Sequence, residues 1–329
     1  MAKAITAITP GFSFEHAARA ISILWMIAGL IALYYALRAW DIDRTYCWAT
    51  CGLVPFIPVF LNPATAVTND APGLLVGAGV VWVAKRFFID EHYGMLVPSV
   101  IILLSCCIKG TFAFPFLALL IVVGLRSLVD FIKKKDIQSF RNILSVIGMG
   151  IVSLIGVFGW SIIQSHRGDP SYVSAITGVS TRPVRGLPIG EFLKTIMSTF
   201  DFSQIPGTLR RTNDSVGYVF WLSILQIVLL GAVFFLYFQN DKKKSQTYLI
   251  YSTVLSMLLV PGLIQIREYL SNGSMLIGVS DRYAIAVVPL VLCCWALTLQ
   301  NSKKPIVGWG VPVIGCFICF SAVLGLMPA

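Results

Sequence analysis

Charge is what this chain has least of. Lysine, arginine, aspartate and glutamate make up 12% of its 329 residues against 57% apolar residues, too few to clothe a water-facing surface of ordinary charge density. A soluble globular enzyme is excluded, and most of the surface must face lipid. Histidine is scarcer still, with His16, His92 and His166 alone, which argues against a histidine-built metal site. The sequence holds no Ser-His-Asp nucleophile elbow, Walker loop, His/Glu zinc motif or dinucleotide-binding glycine pattern. No cofactor is firmly implied, although a divalent cation fits an acid discussed below. Repeats and low-complexity tracts are missing. The first fifteen residues contain one lysine and no apolar core, so they are not expected to act as a secretory signal.

The cysteines are not a framework either. Cys47, Cys51, Cys106, Cys107, Cys293, Cys294, Cys316 and Cys319 lie in or beside apolar runs, where a thiol packs as a small hydrophobe. Cys316 and Cys319 have the spacing of a redox or metal pair, but without a nearby His, Asp or Glu core packing is the stronger reading. The formal charge of +10 does not indicate nucleic acid as a partner, because no basic face is interleaved with exposed aromatics. The lysines fall instead in short runs between apolar stretches: Lys133 to Lys135, Lys242 to Lys244, and Lys303 with Lys304.

What the chain does have is apolar length. About 20 apolar residues cross a bilayer core, and apolar windows occupy residues 17–37, 47–61, 73–84, 95–108, 112–129, 143–163, 218–238, 248–264, 283–299 and 306–327. The expected fold class is all-α: a polytopic transmembrane helical bundle of about ten spans, forming one transmembrane domain over residues 1–329. Lys109-Gly110 divides 95–129, which is too long for one helix, into two spans joined by a tight turn. Placing the lysine-rich loops in the cytoplasm makes every other loop alternate without conflict. The N-terminus and residues 62–72, 164–217 and 267–282 then face outward.

The outer loop 164–217, with Pro170, Pro183, Pro188 and Pro206, far exceeds a usual connection, and such loops are commonly functional. Within it, Ile189, Phe192, Leu193, Ile196, Met197 and Phe200 recur at helical spacing with Glu191 and Lys194 opposite. That pattern predicts a helix lying in the membrane interface, or one capping the bundle. Two Asn-x-Ser sites, at Asn213 and Asn272, also fall in outward segments.

Ionisable groups at or near membrane depth are costly, so each is a candidate for function. Asp70 follows Asn69 just before the third apolar stretch. An acid there can activate a hydroxyl or hold a divalent cation; as a helix N-cap it would be purely structural. Lys109 lies between two apolar half-length stretches and calls for an anion, unless it snorkels to the interface. Arg267-Glu268 and Asp281-Arg282-Tyr283 open and close one outward loop. The arginine fork suits phosphate, while the alternative is a set of interfacial anchors with mutual salt bridges. Arg182, Arg185, Arg210, Arg211 and His166 add cation density in the long loop. Together these groups favour a phosphate-bearing, lipid-linked substrate.

Four stretches in order carry a family likeness. They are Phe14 to Leu24, containing Arg19 and Ser22; Leu53 to Pro58 followed by Asn69-Asp70; Ile108-Lys109-Gly110-Thr111; and Asp281-Arg282-Tyr283 running to Pro289-Leu290. In that order the chain resembles the GT-C superfamily of polytopic glycosyltransferases, in the bacterial branch related to protein mannosyltransferases and lipid A aminoarabinose transferases. The resemblance implies a polyprenyl-phosphate sugar as donor, membrane lipids as surroundings, and a bacterial plasma-membrane location with the long loop outside. It also implies Asp70 as an acidic active-site residue, with Lys109 and Arg282 as phosphate contacts. Arg267 joins those phosphate contacts, and Asn69, Asp281, Tyr283 and Glu268 are supporting residues. The family's main catalytic acid follows its first span, whereas this chain opens on what resembles the second. A partner chain supplying that span and loop is therefore expected, or else a split product. Two rival readings stand beside the enzyme: a transporter or flippase of a lipid-linked substrate, and a non-catalytic remnant or accessory subunit.

Overall fold

A computed structural model describes residues 13–66, 68–167, 181–183, 188–200, 216–239, 244–276, 279–303 and 305–323. The protein is an all-α integral membrane protein. Among the described residues, five helices are long and apolar enough to cross a bilayer: Phe14–Ala39, Gly110–Lys134, Ile137–Gly159, Trp221–Gln239 and Lys244–Leu270. Leu96–Ile108, Val288–Ser302 and Ile306–Phe317 are apolar but shorter. Large apolar side chains point away from the protein along whole helix faces, as at Leu144, Ile147, Ile151, Leu154, Ile155, Phe158 and Ile162. An exposed stripe of that length would be untenable in water.

The chain divides into two compact units, one formed by residues 1–89, 201–250 and 285–329, the other by 90–200 and 251–284. In the first, α1 (Phe14–Ala39) begins at Ser13, whose hydroxyl accepts the His16 N–H. The stretch expected as a second span is broken: α2 (Arg44–Leu53) gives way to a 3-10 turn, Val54–Phe56, and then to α3 (Pro58–Thr65). Pro55 and Pro58 cause the break, since neither can donate the backbone bond that a continuous helix needs. Next comes α4 (Gly73–Phe88), running past the expected 73–84 because Lys85 and Arg86 suit a helix C-terminus.

Helix α9 (Val216–Gln239) belongs to this unit, as do α11 (Val288–Ser302) and α12 (Pro305–Val323). Every residue of α11 from Val288 to Leu299 is buried, as an element apolar on all sides must be when it forms a core. It begins five residues after the expected Tyr283, at Val288, because Asp281–Tyr283 close a 3-10 turn and residues 284–287 a further turn. Gly77 of α4 fits against it so closely that an added Cβ would lie 2.4 Å from Pro289 and 2.7 Å from the Ala286 carbonyl.

In the second unit, α5 (Leu96–Ile108) and α6 (Ala113–Lys134) are joined through Lys109 and the 3-10 turn Gly110–Phe112. The expected division of 95–129 is therefore present. Helix α7 (Ile137–Arg167) starts at Ile137 rather than at residue 143, because the Asp136 carboxylate accepts the Ser139 N–H at 2.6 Å and starts the helix earlier than hydropathy signals. At the far end of α6, Arg126 is ion-paired with Glu91 and lies 3.9 Å from Asp130.

Helix α10 (Lys244–Asn272) continues past the expected 264, with Pro261 inside it. Its end is turned by Gly273, whose φ of +61° suits a residue without a side chain. Strand β2 (Ser274–Leu276) follows and pairs antiparallel with β1 (Thr181–Pro183), Arg182 opposite Met275. The amphipathic stretch of the long loop is a helix, α8 (Ile189–Thr199). Arg185, Arg210, Arg211, Lys242, Lys243, Lys304, Pro170, Pro206 and the Asn213 site lie outside the described residues.

Two outcomes follow from this packing. Replacing Gly77 by Val should cost about 1–3 kcal/mol by overpacking and lower the detergent-phase thermal midpoint, while Gly150→Ala, with open space around it, should not. Equal midpoints for the two variants would contradict the close approach. The Ser139 backbone N–H, and then its side chain, hold the Asp136 carboxyl below its ordinary value of 3.8. The cap's contribution is therefore complete above 3.8 and is lost as pH falls through the lower folded value. An NMR titration of Asp136 should give a midpoint below 3.8; one at or above it contradicts the cap.

Candidate functional site

Lys109 interrupts the helix because its backbone is extended, at φ −157° and ψ 125°. The interruption puts a half-buried lysine between two apolar helices. Its Nζ lies 4.6 Å from the centroid of the Tyr283 ring and 5.9 Å from that of Phe112. The guanidinium of Arg282 approaches the same Tyr283 ring at 5.2 Å. Two cations far apart in sequence are thus gathered on one aromatic ring, whose electron-rich face attracts them. The Thr111 hydroxyl, in the turn that carries Lys109, is buried and has no hydrogen-bond partner among the described residues.

The turn bearing Arg282 is fixed by its own backbone: Tyr283 N–H donates to Ser280 O at 3.1 Å and Ala284 N–H to Asp281 O at 2.8 Å. Ser280 donates its hydroxyl to the Asp281 carboxylate at 3.1 Å. Arg267 is exposed near the end of α10. Its neighbour Glu268 accepts from Asn272 at 2.6 Å and from Ser274 at 3.4 Å, so this carboxylate shapes the turn into β2. The arrangement brings Lys109, Arg282 and Tyr283 together, with Asp281 beside them, and gives Glu268 a local hydrogen-bonding duty.

Asp70 and Asn69 belong to the other unit. Asp70 is 3% exposed, and its carboxylate accepts from the Thr68 hydroxyl at 3.2 Å. Its carbonyl accepts the Gly73 N–H at 2.8 Å. The cap residue of α4 is Pro72, without a side-chain capping bond, so Asp70 is not the N-cap. The segment leading to it is tied to α1 by Ser22, which donates to the Ala66 carbonyl at 2.8 Å. Asn69 is exposed.

Sequence reasoning missed Thr68 as a partner of Asp70, and it missed Gln265, a wholly buried amide one residue past the expected end of its span. Nothing in the sequence marks Thr68. Gln265 could have been noticed as the first polar residue after the apolar run from Met257 to Ile264. Among the described residues, no group of three or more His, Cys, Asp or Glu forms a metal-binding cluster.

No family model matches this sequence, and no curated protein matches it either. Among solved structures, ArnT from Cupriavidus metallidurans in the apo state is similar, with 14% identity and a TM-score of 0.45 over 95% of this chain and 52% of that one. The chain therefore spans about half the length of that protein. A likeness that loose decides neither fold nor chemistry.

The shared ring makes a specific expectation. Tyr283→Phe keeps the aromatic face and should leave Lys109 as it is, whereas Tyr283→Leu removes an attraction of about 1 kcal/mol. Amine acylation followed by peptide mapping should then label Lys109 several-fold faster in the leucine variant alone. Equal labelling in both variants would dissolve the cluster.

Proposed function

We propose that this protein is a membrane glycosyltransferase of the GT-C type, transferring a sugar from a polyprenyl-phosphate donor to an acceptor at the outer face of a bacterial plasma membrane. The observation that carries this reading is the pair of cations, Lys109 and Arg282, held on one tyrosine ring in a chain otherwise poor in charge. Charged side chains next to hydrocarbon are retained where they serve an ionic partner. The partner with the matching chemistry is a lipid phosphate.

In the reaction, the acceptor's nucleophile forms a bond to the anomeric carbon as the bond from that carbon to the phosphate oxygen breaks. The electron pair goes to the departing phosphate, and the acceptor's proton goes to a base. Cations placed where the phosphate gains charge lower the barrier without reorganising. Lys109 contributes a point charge and Arg282 a planar fork of donors, with Arg267 as an additional cation nearby in the loop sequence. Asp70 is the acidic residue of this reading, its carboxylate set by Thr68.

Binding of a labelled polyprenyl-phosphate sugar to the full chain in nanodiscs tests the assignment. Hydrogen bonds to charged groups contribute about 1.5–3 kcal/mol, so Lys109→Ala and Arg282→Ala should each weaken binding by about tenfold or more. Asp70→Asn should abolish transfer while leaving donor binding within about twofold. Undiminished binding in both cation variants would remove the phosphate assignment.

A further inference from the structure

The carboxamide of Gln265 is wholly buried in α10, where an unsatisfied amide would be strongly unfavourable. It is not unsatisfied. Its oxygen accepts the Leu276 N–H at 2.9 Å, and its nitrogen donates to the Leu276 carbonyl at 2.9 Å and to the Thr195 hydroxyl at 2.8 Å. One side chain thus engages both backbone groups of the last β2 residue, as a neighbouring strand would, and spends its remaining N–H on α8. The Thr195 hydroxyl passes its own hydrogen to the Glu191 carbonyl at 2.8 Å, so the bonds run in one direction and reinforce one another.

Three residues beyond Leu276, the Val279 N–H donates to the Ser198 hydroxyl at 3.4 Å, again on α8. The next residues are Ser280 and the turn that holds Arg282 and Tyr283. The chain entering that turn is therefore held at two points, one on Gln265 and one on α8. Helix α8 itself is docked by its polar side: Thr195 and Thr199 are 2% and 0% exposed, while Ile189, Leu193 and Met197 are 62%, 58% and 75% exposed.

We propose that Gln265 is a positioning residue for the phosphate site: with Thr195 and Ser198 of α8 it sets the placement of the Asp281–Tyr283 turn, and through it the Tyr283 ring on which Lys109 and Arg282 meet. The proposal rests on the reading of those cations as phosphate contacts. A misplacement of about 1 Å in such a cradle costs up to about a hundredfold in function, so the clasp governs affinity without touching the ligand.

The test uses the full chain in nanodiscs with two readouts, amide hydrogen exchange of residues 279–284 without ligand and equilibrium binding of a polyprenyl monophosphate. Gln265→Leu should speed exchange in 279–284 by about tenfold and weaken binding by a similar factor, with exchange along α6 unchanged. Thr195→Val, which removes the hydroxyl that accepts from Gln265 and donates to the Glu191 carbonyl but keeps the side-chain shape, should do the same more weakly and serves if the leucine variant does not fold. Gln265→Glu adds a readout that loosened packing would not move. As a carboxylate it repels the Leu276 carbonyl, but once protonated it can accept from Leu276 N–H and donate to Leu276 O. Its exchange and binding, each relative to the unsubstituted protein at the same pH, should be impaired at pH 8 and recover toward pH 5.5. Unchanged exchange in both Gln265→Leu and Thr195→Val overturns the proposal, as does a Gln265→Glu defect equal at both pH values. Faster, pH-recoverable exchange with unaltered binding supports the clasp and instead removes the phosphate reading on which its purpose rests.

Discussion

A polar group surrounded by hydrocarbon has only the protein itself to bond to, and this constraint orders everything else here. It makes the backbone helical, and it leads several buried polar side chains to a backbone partner. Ser22 bonds the Ala66 carbonyl, and the Thr298 hydroxyl is shared between the carbonyls of Cys294 at 2.8 Å and Ala232 at 3.0 Å. The Trp40 indole donates to the Val81 carbonyl at 3.0 Å. Cations obey the same rule in another form. Lys109 and Arg282 find an aromatic face, which attracts positive charge.

Packing between helices then rests on small residues, because lipid offers no hydrophobic drive to separate apolar surfaces from it. Gly77 lets α4 approach α11, Gly29 brings α1 within 2.8 Å of Leu74 as measured from an added Cβ, and Gly156 does likewise at Cys106. The approach of α4 to α11 has a chemical correlate: the first turn of α4 follows directly on Asp70, and Gly73 is seated against Ile285. The acid therefore precedes a helix end that is closely seated against its neighbour.

Much of this was legible in the residues, and the failures have physical causes. Hydropathy located the long helices because apolar length is a direct consequence of bilayer thickness, and Lys109-Gly110 marked the break between α5 and α6. Helix ends were misread wherever polar groups prolong a helix beyond its apolar part: Asp136 starts α7 early, and Gln265 to Asn272 extend α10 by more than two turns. The run from Cys47 to Leu61 read as a span because hydropathy ignores Pro55 and Pro58, whose missing N–H groups break it. The cations on Tyr283 were legible as individual candidates, whereas their meeting was not, since it depends on a turn 174 residues from Lys109, the difference between positions 283 and 109. The contact from Gln265 to Leu276 is local in sequence yet was invisible, because a side chain imitating a strand leaves no periodicity.

Helix α8 is inside out by the standard of a soluble protein, with threonines inward and Ile189, Leu193 and Met197 outward. Its hold on the rest of the chain is accordingly a handful of directional bonds, and its hold on its surroundings is a greasy stripe without direction. Any displacement of the helix is therefore passed by Thr195 and Ser198 to the strand and turn they bond, and that turn carries the aromatic ring on which the two cations meet.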